Sequence, residues 1–209
     1  VIAADLPPQH PLVRLSDAVY AIAAKRVRGP RAFAEPPGLG MSAERLAGGR
    51  YEAMAYTTER HVVVDAAQPS FLRAATRLGG RWSRAQELSV AVLVHEHMHI
   101  LGSGHESLRG TPADRGVEEA IVDALAADTL PAVVRSLSGR RSLLAGSGWA
   151  GVYPACVARL RVASTVAAGD RSWRGPRARA WRVRMLHAGP ESRATALRAT
   201  GTDPASVCP

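Results

Sequence analysis

Residues 88–99 read Leu88-Ser-Val-Ala-Val-Leu-Val-His-Glu-His-Met-His99, an apolar run that ends in an H-E-x-x-H. On a helix, His95 and His99 fall four residues apart and share a face. Two imidazoles on one face can bind a single zinc ion. Glu96 then lies beside the metal, where it can take a proton from a metal-activated water. A histidine-rich surface helix is the bland alternative. The apolar run speaks against it, because it predicts a buried helix, and histidine or glutamate buried there needs a reason. His97 falls on a different face and is not read as a ligand.

A catalytic zinc site usually takes three protein ligands and a water. Two residues compete for the third place. His105 completes H-E-x-x-H-x-x-G-x-x-H over residues 95–105, with Gly102 placed to turn the chain back toward the metal. Glu119 lies in the segment Gly116-Val-Glu-Glu-Ala-Ile-Val-Asp-Ala-Leu-Ala126, which has strong helical character. There Glu119 and Asp123 share a face. One carboxylate can complete a His/His/Glu set, and the other can accept the outer N–H of a ligating histidine. Glu118 points elsewhere and is expected to be solvated.

The H-E-x-x-H at 95–99 followed by Glu119-Ala-Ile-Val-Asp123 is similar to the gluzincins, the thermolysin-like clan of zincin metallopeptidases. Their second metal helix carries Glu-x-x-x-Asp, and its glutamate follows the second histidine at the interval seen here. The resemblance implies one zinc ion per chain, held by His95, His99 and Glu119. It implies Asp123 as the partner of His95, Glu96 as general base, and a peptide or protein as substrate. The longer pattern at 95–105, continued by Glu106 and Arg109, resembles instead the metzincins of astacin type, which implies His105 as third ligand. Their methionine turn would have to come from Met185, the only methionine after Met98. On the gluzincin reading, Gly102-Ser-Gly104 ends the helix and His105 is a loop residue near the site that contacts substrate. An oxyanion-stabilising group is also needed, and His105, Tyr153, His187 and the arginines are the candidates.

The resemblance implies a small α+β zincin-like fold spanning residues 1–209 as a single domain. An upper part, about 10–105, would carry an N-terminal helix, a small mixed sheet and the first metal helix. A helical lower part, about 106–209, would carry the second. The chain's own signals agree with this order. Residues 1–9 are Pro-rich and read as extended. Residues 10–28 carry Leu12, Leu15, Val19, Ile22 and Ala23 on one helical stripe. Residues 29–49 read as loop. Strands are expected over 51–56 and 61–66, the second bearing the β-branched run Val62–Val64. In zincins an edge strand binds the substrate backbone by strand addition, and the strand ending near Val64 is the candidate. Ser83 is expected to cap a helix over 83–101. Further helix is expected over 116–128, 131–137, 152–168 and 191–200, with a loop over 139–151.

Bulk composition narrows the class. A chain of 209 residues with 46% hydrophobic and 22% charged residues can bury a real core. The net charge is +9, yet Lys25 is the only lysine and alanine is abundant, a bias that fits a GC-rich bacterial or phage genome. Residues 171–184 hold six arginines, Trp173 and Trp181, with no acid. The expected reading is inward-packed tryptophans under solvated arginines, so nucleic acid is not an expected partner. Cys156 and Cys208 either pair or stay free and do not settle the compartment, cytoplasmic or secreted. No apolar run reaches the roughly 18 residues of a membrane span, and no signal peptide is visible. The chain opens on Val1, which leaves processing, an excised piece and a non-standard start all open. Oligomeric state is not legible. Two rivals to a peptidase remain: a binding module with structural zinc, and a latent zincin covered by its own Pro-rich N-terminus.

Overall fold

The computed structural model describes residues 3–27, 35–42, 52–57, 59–102, 111–146, 151 and 153–208. The fold is α+β, a small mixed sheet with a majority of helix. It divides into two compact units: residues 1–100 with 129–148, and residues 101–128 with 149–209.

The first unit holds the sheet. Its strands are β1 (Ala3–Asp5), β2 (Gly38–Ser42), β3 (Ala53–Tyr56) and β4 (His61–Asp65), in the spatial order β1-β2-β4-β3. β1 and β3 pair antiparallel with their neighbours, whereas β2 and β4 run parallel. β4 is therefore an interior strand. Val62, Val63, Val64 and Asp65 are all buried, as a strand covered on both faces requires. The expectation that the strand ending near Val64 is the edge is thus corrected: β3, built of Ala53-Met-Ala-Tyr56, occupies that edge. β1 and β2 fall in stretches read as extended chain and loop. Each is too short and too rich in glycine or alanine to show a period of two, and pairing alone makes them strands.

Helix α1 (Pro11–Arg26) starts where His10 Nδ1 accepts the Leu12 N–H, and its core face is Leu12, Leu15, Val19 and Ala23. A short helix α2 (Pro69–Ala75) packs on α1. Helix α3 (Arg84–Leu101) opens with a reciprocal cap. The Ser83 N–H donates to Gln86 Oε1 at 2.7 Å and the Gln86 N–H donates to Ser83 Oγ at 3.3 Å. From Val90 to Leu101 nearly every side chain is buried, so α3 is a core helix with no solvated face along that stretch.

The helix expected over 116–128 is longer than its sequence suggests. α4 runs from Pro112 to Ser138 without interruption, so 116–128 and 131–137 are one helix with Pro131 inside it. It begins before Gly116 because Thr111 and Asp114 cap it, the Thr111 N–H donating to Asp114 Oδ2 at 2.8 Å. Gly116 is tolerated in the helix because Cys208 packs where a Cβ would sit, 2.9 Å from such an atom. Residues through Asp128 belong to the second unit and the rest to the first, where α5 (Leu143–Gly146) follows. Ser142 Oγ and the N–H groups of Leu143 and Leu144 donate to the buried Glu87 carboxylate.

The second unit continues with α6 (Pro154–Ala168), α7 (Pro176–Leu186), α8 (Pro190–Arg198) and α9 (Pro204–Val207). A disulfide joins Cys156, in the first turn of α6, to Cys208 just after α9. Among the described residues, no helix is long and apolar enough to cross a membrane.

Candidate metal centre

Helical periodicity brings His95 and His99 together. Their Nε2 atoms lie 3.2 Å apart, and the rings meet edge to face at a centroid distance of 4.9 Å. Ligand atoms at the corners of a zinc tetrahedron are about 3.3 Å apart, given bonds of ~2.0–2.1 Å. The two imidazoles are thus already at ligand spacing. Glu119 completes the group: one ligand atom from each of His95, His99 and Glu119 lies within 4.8 Å of the others. Two neutral nitrogens and one carboxylate oxygen suit a borderline divalent ion. This group can hold a metal ion. His105, the competing third ligand, lies outside the described residues, as do Glu106 and Arg109.

Glu96 is buried against the edge strand. Its Oε2 accepts the Ala55 N–H at 2.7 Å. In the β3–β4 register, Ala55 faces Val62. The Glu52 carbonyl accepts from the Asp65 N–H, so alternate β3 residues from Ala53 on turn their backbone groups away from β4. The N–H of Ala55 is one of these outward donors, and sequence patterning holds no sign of it.

His97 does point away from the pair, as its helical phase requires. It is fully buried, with Nε2 2.9 Å from Ser16 Oγ and its ring edge-on to Tyr20 of α1. Burial pushes its pKa down to about 4, outweighing the hydrogen bond to the Ser16 backbone that favours the charged form, so it is a neutral core histidine at pH 7.

Asp123 is fully buried, one turn beyond Glu119 on α4. Its Oδ2 accepts the Tyr153 N–H at 2.7 Å. Gly151 lies flush against the same carboxylate with φ +100°. The Gly-x-Tyr-Pro before α6 reads as a helix start, but nothing in it announces a partner on α4.

Glu118 corrects its solvated reading. It is buried, and Arg193 Nη1 donates to its Oε2 at 3.0 Å. The same guanidinium donates to the carbonyls of Met185 and Leu186 at the end of α7. Charge on an apolar helix is read as solvated by default, and only a partner 75 residues away overturns that. Of the oxyanion candidates, Tyr153 is the N-cap of α6 and His187 the C-cap of α7. The Arg/Trp stretch forms α7 and the turn before it. Trp181 packs inward as expected, and Arg174 and Arg177 are exposed. Arg182 departs from the expectation: it is fully buried, bonded to Asp128 at 2.7 Å and to Ser164 and the Trp173 carbonyl. Trp173 is covered by guanidinium groups, with Arg161 Cζ 3.8 Å and Arg174 Cζ 4.8 Å from its centroid.

The chain matches no family model, no curated protein and no solved structure.

Proposed function

We propose that this chain is a zinc-dependent peptidase, with His95, His99 and Glu119 as metal ligands and Glu96 as general base. The observation that carries the reading is the convergence of those three ligand atoms with a buried glutamate adjoining His95 in sequence. A purely structural metal site has no use for a base beside it, and Glu96 therefore favours catalysis over a binding module.

Zinc held there would supply an acidified water and polarise the scissile carbonyl. Glu96 takes the proton of the attacking water and returns it to the leaving amine nitrogen. Its hydrogen bond from Ala55 holds the carboxylate in one orientation between turnovers. With the Ala55 N–H taken by Glu96, the outward-facing Ala53 N–H and the Ala53 and Ala55 carbonyls suit an extended peptide laid along that edge by strand addition. Asp123 is assigned to the outer N–H of His95, which would fix that ring's tautomer and direction.

The test is zinc content and affinity in three proteins. Wild type should bind about one equivalent; Glu119→Ala should lose most of it, and His105→Ala should keep it. Retention by Glu119→Ala with loss in His105→Ala would transfer the third-ligand role to His105 and the family reading to the metzincins.

A further inference from the structure

We propose that the backbone at Gly151 and Tyr153 is a positioning element for Asp123, and that metal affinity depends on it. The inference rests on the reading of His95, His99 and Glu119 as ligands with Asp123 behind them.

Asp123 is fully buried, so its rotamer is set by what surrounds it rather than by water. Two contacts constrain it from one short segment. The Tyr153 N–H donates to Oδ2 at 2.7 Å, the length of a charge-assisted bond. Gly151 packs against the same carboxylate. A Cβ built on it would fall 2.5 Å from Asp123 Cγ, 2.6 Å from Oδ2 and 2.8 Å from Oδ1. No side chain fits there unless the carboxylate moves. The φ of +100° at Gly151 also excludes other residues at low cost.

The donor is itself anchored. Tyr153 is the N-cap of α6, Pro154 holds the first turn, and Cys156 in that turn is cross-linked to Cys208. The segment is therefore carried by α6, whose first turn is cross-linked to Cys208 where it packs on Gly116 of α4. The electropositive N-terminal end of a 15-residue helix adds to the attraction on the carboxylate. A carboxylate that fixes a ligating histidine must meet the imidazole N–H in line, and outer partners of this kind typically govern metal affinity 10- to 100-fold. Gly151 and Tyr153 thus act on the metal through Asp123 without touching it.

The experiment is a double-mutant cycle on wild type, Gly151→Ala, Asp123→Ala and the double variant. Zinc affinity is read by chelator competition and ligand geometry by the visible spectrum of the cobalt-substituted protein. Gly151→Ala should weaken zinc about 10- to 100-fold and alter the cobalt spectrum. The double variant should bind no more weakly than Asp123→Ala alone, because the atom that Gly151→Ala displaces is gone. Backbone strain at positive φ acts equally in both backgrounds, so it cannot produce this pattern. Wild-type affinity in Gly151→Ala, or equal losses in the two backgrounds, overturns the proposal. If Gly151→Ala alone fails to fold, removing the carboxylate should restore folding in the double variant, and a double that stays unfolded also overturns it. Amide exchange at Tyr153 in metal-free protein separates this inference from the metal reading. Gly151→Ala should speed that exchange whether or not zinc binds. Unchanged protection refutes the positioning, whereas faster exchange in a wild-type chain that binds no zinc refutes only the metal assignment.

Discussion

Arg193→Met should be among the most destabilising single substitutions in the second unit. The side chain is 3% exposed and donates three hydrogen bonds: 3.0 Å to Glu118 Oε2, 2.9 Å to the Met185 carbonyl and 3.1 Å to the Leu186 carbonyl. Methionine replaces most of the volume but none of the donors. Glu118, itself buried, then loses the guanidinium that balances its charge. Breaking one side of a buried pair costs about 3–5 kcal/mol, because the remaining charge is left desolvated. For a chain of this size each kcal/mol is worth about 2–4 °C, so the expected fall in Tm is roughly 6–20 °C. Urea titration followed by circular dichroism measures the free energy. The double variant Glu118→Leu/Arg193→Met removes both charges and should recover most of the loss. The two α7 carbonyls lose only the hydrogen bonds from Arg193, which leaves about 1–2 kcal/mol unrecovered. A single-variant loss under about 1 kcal/mol, or a double variant no more stable than the single, would refute the account of Glu118 as a paired buried carboxylate.

Glu96→Gln should retain zinc and fold but hydrolyse no peptide, since an amide cannot accept the proton; full activity in that variant would remove Glu96 from the mechanism. Reducing the Cys156–Cys208 bridge, whose cysteines are 52 residues apart, should cost about 4 kcal/mol by loop-entropy arithmetic. Matching urea curves with and without a dithiol reductant would contradict that. Replacing Arg174, Arg177 and Arg179 with Gln should leave zinc content and hydrolysis unchanged, and wild-type binding to DNA or RNA should vanish near ~150 mM salt. Sub-micromolar binding that persists there and disappears with those arginines would make nucleic acid a genuine partner.

Much of the candidate site was legible because its spacing is short-range. His95, Glu96 and His99 lie within five residues, and a helix alone decides their phase. Glu119 and Asp123 were reachable the same way, one turn apart on an apolar helix. The two strands rich in valine and tyrosine could also be read locally. What escaped depends on residues distant in sequence. β1 and β2 exist through pairing, and their own composition shows little period. The position of β4 inside the sheet follows from β2 joining it in parallel, which no local pattern encodes.

The errors on α4 have a different origin. Gly116 and Pro131 are local breakers, so the sequence starts the helix only at Gly116 and leaves 131–137 either as a further turn of it or as a separate short helix. The Thr111–Asp114 cap and the packing of Cys208 on Gly116 override the first. For Pro131 the structure gives the outcome, an unbroken helix, without a single contact that accounts for it. Glu118 and Arg182 were misread because a charged side chain is solvated unless something distant pairs it. Arg193 and Asp128 are those distant partners.

The most direct test of the central claim is the ligand set of the metal, seen in an anomalous-difference map collected at the zinc edge from crystals of the zinc-loaded chain. The account predicts one peak, about 2.0–2.2 Å from His95 Nε2, His99 Nε2 and a Glu119 carboxylate oxygen. A peak bonded to His105 in place of Glu119, or no peak at His95 and His99, would contradict it.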